Sequence, residues 1–131
     1  MDNQRTHYTS GAQWESRVGY SRAVKVSNVI EVSGTVATDE NGNVIGEGDP
    51  YLQTRFILQK IESVLQQAGA SLKDVVRTRM FVTNISKWEE YGRAHGEAFA
   101  GINPCTSMIE VKALIAPEYL IEIEATAIII N

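Results

Sequence analysis

The sequence predicts one α+β domain, a mixed sheet with two helices on one of its faces. Three observations lead there. The stretch Ile121 to Ala127 alternates strictly between apolar residues and others, the pattern of a half-buried strand, and it sets Glu122 and Glu124 together on the face away from the core. A helical stripe of Leu58, Ile61, Val64, Leu65 and Ala68 follows the start signal Asp49-Pro50. The element order is hairpin, helix, strand, helix, strand, strand, and two helices suffice to cover only one side of the sheet. At 131 residues the chain buries one core and is too short for two, so residues 1–131 are taken as a single domain.

Residues 1–17 carry no periodicity and are expected as a loose N-terminal arm anchored by Trp14. Val24 to Val36 holds two β-rich runs around the turn-forming pair Ser27-Asn28, which makes a hairpin. Ser33 and Gly34 close its second run, where a glycine marks either a bend or a close approach of the backbone to another group. Asp39 to Asp49 is turn material punctuated by Asn41-Gly42. The first helix then runs for about five turns before Gly69 stops it.

Val75 to Val82 alternates as a strand, with Val76, Thr78, Met80 and Val82 on one side and Val75, Arg77, Arg79 and Phe81 on the other. Ser86 with Glu89 has the spacing of a capping box opening a second helix over 87–100, whose inner stripe is Trp88, Tyr91, His95, Ala98 and Phe99. Among those aromatics His95 is expected as a core histidine satisfied by a hydrogen bond. Cys105, the single cysteine, is expected as a small buried residue in a reducing compartment.

The open face of the sheet is assigned Arg77, Arg79, Glu110, Glu122 and Glu124, interleaved with Val75, Phe81, Met108, Ile128 and Ile130. That mixture is too apolar for water and too charged for a core, so an interface between copies is expected. A carboxylate among apolar neighbours either finds a cation or has a raised pKa suited to proton transfer. The formal net charge of −4 and the lack of a Lys/Arg cluster count against a nucleic-acid surface. No apolar run reaches membrane-spanning length and no signal peptide is visible, so the expected location is cytoplasmic. No ligand spacing for a metal is present.

Several separated segments resemble the RidA/YjgF/UK114 family of reactive-intermediate imine deaminases. They are Gly19 to Gly34 (GYSRAVKVSNVIEVSG), Gly69 to Ile85 (GASLKDVVRTRMFVTNI), NPCTSMIEV from Asn103, and IEIEA from Ile121. The resemblance implies a chorismate-mutase-like fold, a homotrimer around a central barrel, small-molecule clefts between subunits, no cofactor, and hydrolysis of imines and enamines to a carbonyl compound and ammonia. It implies catalytic roles for Glu122, which would position the attacking water, and for Tyr20 of the family's PYSQ motif. Ser33 and Gly34 match its SG pair.

Departures from the family pattern concern substrate recognition. Thr106 stands where the family has the arginine that clamps a substrate carboxylate, next to Met108 in the same segment, and Gly92 stands where it has a helix asparagine. PYSQ has become GYSR, which puts Arg22 beside the motif. A hydroxyl supplies neither the charge nor the bidentate geometry of a guanidinium. Either Arg22 substitutes for the clamp or the substrate lacks a carboxylate. The competing functional readings are an imine or enamine hydrolase with a non-archetypal substrate, a trimeric small-molecule-binding or stress-protective protein without catalysis, and a ribonuclease or translation inhibitor.

Overall fold

The computed structural model describes residues 4–130. Strands β1 (Arg5–Tyr8), β2 (Ala23–Val26), β3 (Val29–Thr35), β4 (Val75–Val82), β5 (Cys105–Glu110) and β6 (Ile121–Ile128) form one sheet in the order β1-β2-β3-β6-β4-β5. Helices α2 (Pro50–Gln67) and α3 (Trp88–Ala98) pack against each other, and α2 lies across β3 and β6. The sheet is mixed, because β4 and β5 are parallel across α3 whereas the other pairs are antiparallel. The core lies between sheet and helices, with Ile30, Val32, Met80, Val82, Ile121 and Ile123 facing Ile57, Ile61 and Leu65.

The N-terminal segment is more ordered than its sequence suggests. Residues 1–3 lie outside the described residues, but Arg5–Tyr8 pairs in register with β2, and a short helix α1 (Gln13–Val18) follows. Arg5, Thr6 and His7 of β1 are exposed and only Tyr8 packs against the core, so the strand shows no apolar alternation and is defined by its pairing with β2. Trp14 is not the anchor: it is 44% exposed, under the Arg17 guanidinium at 5.1 Å. Glu15 is the buried residue instead, accepting from the Ser10 amide and hydroxyl.

The hairpin forms as expected, with Val26 opposite Val29 and Ser27 at φ 57°. In β3 the register against β6 shifts between Val32 and Thr35, so Ser33 and Gly34 form a bulge. Both flanking side chains, Val32 and Thr35, point into the core. Asp49 caps α2 by accepting from the Leu52 amide at 3.0 Å, and the C-terminal Ala68 carbonyl accepts from Lys25 Nζ at 2.7 Å. Gln53 is fully buried and pins the entry to β6: its amide donates to the Glu118 and Gly46 carbonyls and its oxygen accepts from the Leu120 amide at 3.0 Å.

Four placements differ from the sequence expectation. A bulge between Val75 and Arg77 turns Val75 into the core and leaves Val76 exposed, which inverts the alternation at the start of β4. The Ser86–Glu89 capping box does not form, since Asn84 takes the Ser86 amide and opens a 3₁₀ turn, Ile85–Lys87, ahead of α3. Trp88, at the junction, is consequently 56% exposed, while Tyr91, His95 and Phe99 are buried as expected. Finally, β5 pairs with β4 so that Met108 lies opposite Met80 and Glu110 opposite Val82, on the helix side of the sheet. The open face takes the other parity of β5, including an exposed Cys105 and Ile109. A one-residue change of parity exchanges the faces of a whole strand, and nothing in an edge strand with an exposed pattern announces which parity holds. The open face thus carries Arg77, Arg79, Phe81, Ile109, Glu122, Glu124 and Ile128, with Ile130 protruding beyond the strand.

Candidate functional site

Glu122 stands on the open face of β6, and its carboxylate lies over the β3 bulge. A Cβ on Gly34 would sit 2.7 Å from Glu122 Cδ and 2.9 Å from Oε2, so the carboxylate occupies the space that a side chain would fill. The glycine therefore marks a close approach. Among the described residues the Glu122 carboxylate accepts no hydrogen bond and lies in no ion pair. Its pKa is raised above the ordinary 4.5, first by burial and then by repulsion from Glu124, with Arg22 acting in the opposite sense.

The bulge is held from the neighbouring strand. Arg22 Nη2 donates to the Gly34 carbonyl at 2.5 Å, the Ser33 amide donates to the Arg22 carbonyl at 3.0 Å, and the Ser33 hydroxyl donates to the Ser21 carbonyl at 2.7 Å. Arg22 Nε is buried with no partner among the described residues. Arg22 is thus tied to the backbone beneath the bulge, with its guanidinium 5.8 Å from the centre of the Tyr20 ring. Tyr20 and Ser33 line an open cleft of about 420 Å³, together with Arg5, Glu31, Arg79 and Glu124; Glu122, Gly34 and Arg22 lie outside its lining. Within its lining Arg79 and Glu124, cross-strand neighbours on β4 and β6, approach to 3.9 Å.

Thr106 and Met108 lie elsewhere. They belong to the edge strand β5, on the helix-side face, whereas Glu122 is on the open face two strands away. Neighbouring strands are spaced by about 4.8 Å, so the two groups are about 10 Å apart across the sheet as well as on opposite sides of it. Within one chain they form two separate half-sites. At the second, the Thr78 hydroxyl donates to Thr106 Oγ1 at 2.6 Å, and His95 Nε2 lies 2.8 Å from Thr78 Oγ1. Thr78 is fully buried and His95 nearly so, with its ring 4.6 Å from that of Phe99; burial lowers the His95 pKa below the ordinary 6.5. Met108 packs against the core edge, and the space beside Gly92 on α3 is open.

Sequence reasoning missed Thr78 and Lys60. Thr78 shares the core parity of Met80 and Val82, and a hydroxyl at such a position demands a partner. Lys60 falls on the α2 stripe between Ile57 and Ile61, donates to the Val36 carbonyl at 2.7 Å and to the Thr38 hydroxyl, and has its pKa lowered to about 8 by burial and by Arg22. Among the described residues no three His, Cys, Asp or Glu side chains come together as a metal site, and no helix is long and apolar enough to cross a membrane.

Residues 10–129 match the family described as endoribonuclease L-PSP. The chain is 35% identical over 108 residues to the 3-aminoacrylate deaminase RutC of Acinetobacter baylyi, covering 82% of this chain and 85% of the relative. The crystal structure of Rv2704 from Mycobacterium tuberculosis, described as a member of the YjgF/YER057c/UK114 family, superposes with a TM-score of 0.87 at 50% identity, over 96% of this chain and 100% of that one. YyfA of Yersinia pestis, described as a conserved Rid-family protein of unknown function, superposes with a TM-score of 0.84 at 29% identity, over 96% of this chain and 100% of that one. With the fold, the SG bulge and the family match in agreement, the chain belongs to the RidA/YjgF/UK114 family, described also as endoribonuclease L-PSP.

Proposed function

We propose that this protein hydrolyses reactive imines or enamines, releasing ammonia and a carbonyl product, at a cleft completed between two copies of the chain. The observation that carries this reading is Glu122: a half-buried carboxylate with no partner among the described residues, fitted against the backbone of a glycine bulge. A carboxylate that serves only structure is normally paired when desolvated. One with a raised pKa and free lone pairs suits proton transfer near neutral pH. The name of the RutC relative, a 3-aminoacrylate deaminase, supports the reaction class.

In the proposed reaction, an enamine first takes a proton on carbon and releases one from nitrogen to solvent, giving the imine. Water then adds to the C=N carbon: a C–O bond forms, the π pair moves to nitrogen, and nitrogen gains a proton while Glu122 accepts one from the water. The resulting carbinolamine breaks its C–N bond as Glu122 returns the proton to the departing nitrogen; the hydroxyl proton is lost, ammonia leaves and C=O forms. Tyr20 and the polar groups of Ser33 and the Gly34 bulge hold the substrate from one copy, with Arg22 fixing the bulge. Thr106 and Met108 of a second copy would close the cleft, and the homotrimer is the assembly this reading expects.

A second reading, a small-molecule-binding protein without catalysis, is favoured by Thr106 in place of a carboxylate clamp. A coupled assay separates the two: a dehydratase generates 2-aminoacrylate, and pyruvate appearance is followed with and without this protein, alongside the corresponding neutral amide. Acceleration of either, lost by about 10²–10⁴-fold in Glu122→Gln, is the expected result. No acceleration of either substrate rejects the enzyme reading, and sedimentation showing only monomer at micromolar concentration rejects the shared cleft.

A further inference from the structure

We propose that the cleft on the open face carries a second subsite, Arg5 with His7 on β1, which takes an anionic group such as a carboxylate at the far end of an elongated substrate. The inference rests on the imine-hydrolase reading for the reaction, and on a separate set of residues for the length and charge of the molecule that enters.

The cleft runs from the Gly34 bulge toward the outer strand of the sheet. At its inner end the Ser33 hydroxyl donates to the Ser21 carbonyl at 2.7 Å, and the Ser21 hydroxyl lies 2.9 Å from His7 Nδ1. Ser21 therefore joins the bulge to β1, and Ser33, Ser21, His7 and Arg5 all line the one cleft. Arg5 and His7 stand on the same face of β1, two residues and about 7 Å apart, so the lining continues past Ser21 to the start of that strand. At about 420 Å³ the cleft falls in the range that holds drug-sized ligands, about 300–1,000 Å³, and a three-carbon enamine reaches only one end of it.

Charge along the lining decides what the far end holds. Arg79 and Glu124 approach each other to 3.9 Å, and Glu31 Oε1 accepts from the Thr126 hydroxyl at 2.6 Å, on the strand away from β1. Arg5 is uncommitted: among the described residues its guanidinium has neither a hydrogen bond nor an ion pair. A guanidinium presents a planar fork of donors that matches a carboxylate in both charge and geometry. Arg22 does not take this role, because it lies outside the lining and its Nη2 is given to the Gly34 carbonyl. Arg5 and His7 meet the substrate away from the reacting carbon and are specificity residues.

The test titrates the intact protein with 2-oxosuberate and 2-oxooctanoate, product-like acids of equal length that end in a carboxylate and in a methyl group respectively. 2-Oxosuberate is expected to bind about ten-fold more tightly, the scale of one charge-assisted hydrogen bond. That preference should vanish in Arg5→Gln, persist in Arg5→Lys, which keeps the charge, and reverse in Arg5→Glu. Melting curves of all three should match the parent, because Arg5 is exposed and its strand is held by backbone pairing with β2. Equal binding of the two acids, binding of neither, or a preference unchanged in Arg5→Gln overturns the proposal. Failure of the hydrolase reading looks different: the preference and its loss in Arg5→Gln persist while no enamine is turned over.

Discussion

Replacing Gly34 by alanine separates the placement of Glu122 from the stability of the fold. The added methyl would stand 2.7 Å from Glu122 Cδ and 2.9 Å from Oε2. Unstrained carbon contacts lie near 3.5–4.0 Å, so the carboxylate must withdraw by roughly 1 Å. The clash is with the far end of a flexible side chain, and Gly34 does not have a positive φ, so the backbone accepts alanine. Pushing Glu122 off its rotamer costs about 0.5–1.5 kcal/mol. Reduced freedom of the unfolded chain returns about 0.4–1 kcal/mol. The net change in stability is then within about 1 kcal/mol, a few degrees of Tm at most. A displacement of that size at a reacting group lowers the rate by about 10². The expected signature is a near-normal melting curve, a fall of about 10² in kcat/KM in the coupled enamine assay, and a Glu122 pKa closer to 4.5 by carboxyl ¹³C NMR as the group moves into water. Normal turnover with an unshifted Glu122 titration would refute the claim that the bulge holds this carboxylate in place.

Three further outcomes are expected. Because Glu122 is harder to ionise in the folded state, the native protein keeps a proton that the unfolded chain releases as pH rises through 4.5, and stability falls from there until the raised pKa is passed. Denaturant titrations should therefore find Glu122→Gln equal to or below the parent at pH 4 and relatively more stable at pH 7; a difference independent of pH would contradict the burial penalty. Lys60 behaves oppositely: between about 8 in the native state and 10.5 unfolded, only the unfolded chain holds the proton, so stability gains from this group as pH rises across that window, and Lys60→Met should remove the gain. Gln53→Leu strips partners from the Leu120 amide and the Glu118 and Gly46 carbonyls, and should destabilise the fold by roughly 2–4 kcal/mol in urea melts, because each buried group left unpaired costs about 1–3 kcal/mol. A loss below half a kcal/mol would mean that water reaches those groups.

Local pattern alone determined the strands β2, β3, β4 and β6, the helix α2 with its Asp49 cap and Gly69 stop, and the core role of His95, while the resemblance of separated motifs gave the family. It also placed Glu122 and Glu124 on the face away from the core, since a period of two is a property of the strand itself. Tertiary structure decided what depends on partners distant in sequence. Pairing with β2 made a strand of the polar Arg5–Tyr8, and the bulge against β6 put Val75 in the core. The parallel register with β4 sent Thr106 and Met108 to the helix side, opposite Glu122, and joined Thr106 to Thr78 and His95. Register is set by hydrogen bonds between strands rather than by composition within one, so an edge strand with little burial on either face leaves its orientation unwritten until the neighbouring strand is in place.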